Sequence, residues 1–154
     1  MLFGSKSITN LNNSFQITIG GGAIDRVSST KCLGVYIDEK LQWNLHINSV
    51  ALSIAKALGV WRKIKDKLPK KILRTLYYTL IYPYLNYCNI IWGYTSPTGL
   101  KRIVILQKKA VRIISHSSYL APTSSLFCNL KILRLIVVVV IYFDPKSIKI
   151  QIST

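Results

Sequence analysis

The chain has 154 residues, of which 50% are hydrophobic and 17% charged, so it is one domain or part of a larger one, with apolar mass enough for a core and too much for disorder. Its 21 Lys and Arg stand against 5 Asp and Glu, a formal net charge of +16 that calls for a polyanionic partner, either nucleic acid or an anionic membrane surface. Cys32, Cys88 and Cys128 lie far apart without a CxxC pair, which argues against a zinc site and fits reduced thiols in the core of an intracellular protein.

The opening "MLFGSKSITN" lacks the apolar core of a signal peptide. "SFQITI" alternates Phe15, Ile17 and Ile19 with polar neighbours, the period of a half-buried strand. The glycines at 20–22 supply a turn, and "AIDRV" is the expected hairpin partner. "KCLGVYI" is expected to form a third strand, with Leu33, Val35 and Ile37 on one face and Gly34 allowing close backbone approach.

From Asn44 the period changes to that of a helix. Ile47, Val50, Ile54, Leu58, Trp61, Ile64 and Leu68 form one stripe, with Lys56, Arg62, Lys63 and Lys67 mostly off it. Pro69 suits the first turn of a second helix running to about Tyr82, with Leu73, Leu76, Tyr77 and Leu80 facing inward. Pro83 ends or kinks that helix, and "YLNYCNIIWG" is expected to continue as a short helix closed near Gly93.

A third long helix follows, with Ser96 as its cap and Pro97 as its first residue. Leu100, Ile103, Val104, Ala110, Val111 and Ile114 face inward. Lys101, Lys108 and Arg112 share an outer face, with Arg102 and Lys109 beside it. Beyond "LKILRL" the pattern fades. "LIVVVVIYF", Leu135 to Phe143, is too short to span a bilayer as a helix, and "SIKIQIST" reads as an exposed strand or frayed tail.

Candidate chemistry is sparse. The acids are Asp25, Asp38, Glu39, Asp66 and Asp144, with no DxD, YxDD or HExxH pattern to gather metal ions. Asp38 and Glu39 diverge in extended backbone. They are expected to close a strand and set negative charge before the next helix. His46, expected to be a partly exposed structural residue, and His116 have no triad partners, and "IGGGAI" lacks a P-loop lysine. No catalytic residue, metal or cofactor is therefore expected. The tyrosines from Tyr77 to Tyr94 are expected to pack mostly into the core.

"FGSK", "KCLGVYIDEKLQW" followed by "HI", "LPKKILRTLYYTLIYPYLNYCNIIWG" and "LQKKAVRII", in this order, resemble the C-terminal part of reverse transcriptases of jockey-like non-LTR (LINE-type) retrotransposons, over residues 3–135. The resemblance implies that "CLGVYID" corresponds to a primer grip, with Leu33 and Gly34 in it, and that the helices correspond to a thumb. The basic residues Lys101, Arg102, Lys108, Lys109 and Arg112 would then face nucleic acid. These 154 residues hold no match to the fingers, the palm's YxDD motif or an endonuclease.

The expected fold is α+β: a small antiparallel sheet over residues 2–37, then three or four helices. The expected division is a palm remnant at 1–38, a thumb-like region at 39–135 and a divergent tail at 136–154. The expected function is that of a truncated RNA-directed DNA polymerase, silent alone, binding RNA, DNA or RNA–DNA hybrid without sequence preference, in the nucleus or a cytoplasmic ribonucleoprotein. A separate palm could complete it. The rival is a basic membrane-surface protein anchored by "LIVVVVIYF", and a third reading is a relic without selected function; the resemblance favours nucleic acid over membrane.

Overall fold

A computed structural model of the chain describes residues 17–95 and 97–135, the side chain at 97 excepted. The architecture is α+β, with two small antiparallel sheets followed by helices. The chain divides between His46 and Ile47 into two compact units.

The first unit holds two hairpins. Strand β1 (Thr18–Ile19) pairs with β2 (Gly22–Ala23), Thr18 opposite Ala23. Gly20 and Gly21 turn the chain at φ 59° and 81°, conformations that only glycine adopts without penalty. The strands are shorter than expected, with one further hydrogen bond from Ile24 N to the Ile17 carbonyl. Phe15 lies outside the described residues.

The expected third strand is instead a second hairpin. Strand β3 (Ser29–Cys32) pairs with β4 (Val35–Asp38), Cys32 opposite Val35. Leu33 and Gly34 form the turn at φ 47° and 84°, and positive φ at both central residues matches the twist of the flanking strands. Leu33 therefore does not share a face with Val35 and Ile37. It stands at the hairpin tip, 85% exposed, while Val35 is buried. A leucine in the left-handed region costs about 1–2 kcal/mol, and nothing in its side chain announces that role.

Helix α1 (Asn44–Ile64) follows. Ile47, Val50, Ile54, Leu58 and Trp61 are all buried, as the stripe requires, and Arg62 and Lys63 are exposed. A 3₁₀ turn at Lys65–Lys67 leaves Ile64 and Leu68 half-buried. Pro69 precedes α2 (Lys70–Leu80), where Leu73 and Tyr77 are buried. Leu80, expected inward, is exposed; the helix ends there, and Ile81 takes the core position.

The next stretch makes two short helices rather than one. They are α3 (Tyr82–Asn86), with Pro83 in its first turn, and α4 (Asn89–Trp92), separated by Cys88 at φ 51°. Helix α5 (Pro97–Ile114) and helix α6 (Thr123–Leu130) complete the second unit; the expected cap Ser96 lies outside the described residues. Helix α2 packs on α3 and α5, and α5 packs on α6.

Candidate nucleic-acid interface

The two adjacent carboxylates have structural duties. Asp38 Oδ1 accepts the backbone N–H groups of Lys40 and Gln42, and Oδ2 accepts that of Trp43. A strand-terminal aspartate thus gathers the loop that feeds α1, where Leu41 and Trp43 take positive φ. Glu39 pairs with Arg26 at 3.6 Å. Among the described residues no group of three His, Cys, Asp or Glu side chains could hold a metal ion.

His46 is buried rather than partly exposed. Its Nδ1 accepts the Tyr36 N–H at 3.4 Å, and burial lowers its pKa, so the neutral ring is the favoured form. The cysteines are not core thiols: Cys32 and Cys128 are exposed and Cys88 is half-buried. Cys32 sits next to a tight turn, and Cys128 lies on a short helix whose buried position is Phe127.

A polar residue ties α5 to its neighbours, beside a buried apolar stripe of Leu100, Ile103, Ala110, Val111 and Ile114. Gln107 is 2% exposed, in the middle of the apolar face. Its Nε2 donates to Tyr77 Oη at 2.8 Å and to the Leu133 carbonyl at 2.9 Å, while its Oε1 accepts the Leu135 N–H at 3.0 Å. One amide thereby joins α2, α5 and the segment after α6, and its satisfied hydrogen bonds remove the penalty of burying it. Periodicity alone does not find such a residue, because it reads as an interruption of the stripe.

With α5 held in this way, its basic residues divide into two groups. Lys101, Arg102 and Lys108 are exposed, and Arg102 donates to Asn48 Oδ1 of α1 at 2.9 Å. Lys109 and Arg112 are half-buried and turn toward the end of α1. There, with Arg62 and Lys65, they line a cleft of about 220 Å³ that Ser117 and Tyr119 help to close. The contacts near Asn48 and near Arg62 place α1 and α5 side by side, running in the same direction.

The cleft brings four cations together with no carboxylate in its lining. Arg112 is held firmly: its Nε donates to the Ala121 carbonyl at 3.0 Å, and its guanidinium lies 5.9 Å from the centre of the Tyr119 ring. Arg62 is legible as a charge off the stripe, whereas the part of Lys65, and the meeting of both with Lys109 and Arg112, depends on tertiary packing.

The tyrosines are less buried than expected. Tyr77 is fully enclosed, and burial pushes its hydroxyl up to about 12. Tyr84, Tyr87 and Tyr94 are exposed, because α3 and α4 are too short to wrap a second face into the core. Tyr78 sits edge-on to Tyr77, donates to the Lys131 carbonyl at 3.0 Å and carries Arg74 over its ring.

In sequence, the chain is similar to RNA-directed DNA polymerases of jockey and related non-LTR retrotransposons. An RNA-directed DNA polymerase from mobile element jockey of Drosophila funebris is 28% identical over 119 residues, 75% of this chain and 13% of that protein. Probable RNA-directed DNA polymerases from transposon BS and transposon X-element of Drosophila melanogaster are 24% and 26% identical, over 75% and 71% of this chain and 13% and 12% of theirs. The chain spans about 13% of the length of the first of these relatives. No family model matches it, and no solved structure does.

Proposed function

We propose that the chain is a segment of an RNA-directed DNA polymerase of a non-LTR element that carries nucleic acid outside the metal centre. Its helical unit binds RNA, DNA or RNA–DNA hybrid through phosphates and without base preference. Primer extension then depends on a palm other than these residues, and the protein works in the nucleus or in a cytoplasmic ribonucleoprotein. Leu33 and Gly34, at the tip of the second hairpin, are the residues that would meet a primer end. Lys101, Arg102, Lys108, Lys109 and Arg112 are the residues that would meet phosphates.

The observation that carries this reading is the basic length of α5, which presents Lys101, Arg102 and Lys108 to solvent in a stretch with no acid between Asp66 and Asp144. The similarity to RNA-directed DNA polymerases supports nucleic acid as the polyanion. Fluorescence anisotropy over a range of salt tests it. Lys101→Ala with Lys108→Ala is expected to flatten the slope of log affinity against log salt by about 1.4–1.8, from about 0.7–0.9 per phosphate contact. The loss should be the same for unrelated sequences. An unchanged slope overturns the assignment of α5. In parallel, primer extension by the purified chain with Mg²⁺ is expected to be nil; extension that Asp38→Asn abolishes would place the metal centre here and overturn the reading.

A further inference from the structure

We propose that the cleft between the ends of α1 and α5 seats a phosphate of single-stranded nucleic acid, with the adjoining unpaired base stacked on Tyr119. The proposal rests on the nucleic-acid reading above and deepens it, since it separates a single-strand seat from the exposed basic row on α5.

Three observations lead to it. Arg62, Lys65, Lys109 and Arg112 converge on one concavity whose lining carries no acid. Such a cluster repels itself until an anion enters, so the arrangement is poised for a phosphate rather than for an internal ion pair. Second, Arg112 is already immobilised through Ala121, and only its Nε is taken by that bond. The outer N–H groups of a fixed guanidinium match two phosphate oxygens, and little further ordering is required of them. Third, Tyr119 stands at the cleft 70% exposed, one side of its ring near Arg112. A base stacks on such a ring only if its own face is free, which selects an unpaired nucleotide over a paired one.

An anionic lipid headgroup would satisfy the charges equally. An exposed tyrosine also suits a membrane interface, so the ring does not decide between them. The similarity to RNA-directed DNA polymerases favours a strand with bases, and vesicles become the contrasting arm of the test.

The test uses the full chain, a labelled oligodeoxythymidine strand, a blunt duplex of equal length, and vesicles containing phosphatidylserine. Arg62→Gln, Lys65→Gln and Lys109→Gln are combined, and Arg112 is kept because it holds Ala121. The triple variant is expected to lose about tenfold in single-strand affinity at low salt and about 0.7 of a unit of salt slope, the share of the one phosphate seated there. Tyr119→Ala should weaken the single strand about tenfold and leave the duplex unchanged, while Tyr119→Phe keeps parent affinity. Should the triple variant melt early, Lys109→Gln and Tyr119→Ala alone carry the comparison. The proposal is overturned if the single-strand slope is unchanged, if Tyr119→Ala weakens duplex and single strand alike, or if only vesicle capture is lost. A parent that binds no nucleic acid sinks the broader reading too. A Lys101→Ala, Lys108→Ala effect with none from the cleft variants sinks this one alone.

Discussion

The side-chain amide of Gln107 donates to the hydroxyl of Tyr77, 30 residues earlier, at 2.8 Å inside the core. The same amide also serves the backbone of Leu133 and Leu135. Removing it strands a buried hydroxyl, a carbonyl and an N–H, each of which costs about 1–3 kcal/mol when left dry. Gln107→Leu is therefore expected to destabilise by about 2–4 kcal/mol in urea unfolding, despite the apolar gain. In a double-mutant cycle with Tyr77→Phe the two changes should couple by about 1 kcal/mol. Simple additivity would show that the bond carries no energy of its own.

Tyr77 also makes a prediction about alkaline pH. Burial, with smaller contributions from Tyr78 and Tyr82 and against the donation from Gln107, raises its hydroxyl from 10.0 to about 12. Below pH 10 the group is protonated in both states and stability does not vary on its account. Above 10 the unfolded chain ionises first, so stability falls as pH rises from about 10 to about 12, by about 2–3 kcal/mol in all. Tyr77→Phe should remove this part of the decline, measured by denaturant unfolding at stepped pH.

His46 acts at the other end of the scale. Its folded pKa is depressed by burial below 6.5, so the unfolded chain takes up the proton first as pH falls. Stability is expected to be complete above about 6.5 and to decline below it, and His46→Asn should flatten the curve there. A parent equally stable on both sides of that range would contradict the buried, neutral ring.

Trp61 and Lys63 test the rotation of α1. Trp61 is 1% exposed and Lys63 stands in solvent. Trp61→Ala should cost about 3–5 kcal/mol and Lys63→Ala no more than about 0.5 kcal/mol. Equal losses would mean that the helix presents a different face.

Asp38 is expected to matter for shape rather than chemistry. Asp38→Ala removes the acceptor of three backbone N–H groups in the loop before α1, and a loss of about 1–2 kcal/mol is expected from the precedent of helix caps. Faster amide exchange at Lys40, Gln42 and Trp43 checks it. Asp38→Asn keeps an acceptor oxygen and should fall between the parent and the alanine variant.

The elements that could be read directly from the residues are those whose signal is repeated. The α1 stripe announces itself because Ile47, Ile54, Leu58 and Trp61 each restate one period, and the packing agrees. The turn at Leu33 was hidden because its conformation depends on pairing between Cys32 and Val35, and the residue type argues against it. Gln107 was hidden for a related reason: its partners lie on other elements, and a polar residue within an apolar face looks like noise until they are known. Five basic residues on α5 were visible, but their division between an open face and a cleft follows from where Arg62 and Lys65 come to rest.

The Gln107 amide also has a consequence in time. Its oxygen waits for the N–H of Leu135, which lies 28 residues further along the chain. At synthesis rates of about 5–20 residues per second, that wait lasts about 1–6 s, whereas helices form within about a microsecond. Until Leu135 emerges, water is the partner available to that oxygen. The full set of hydrogen bonds of this amide is therefore reached on the timescale of elongation rather than that of helix formation.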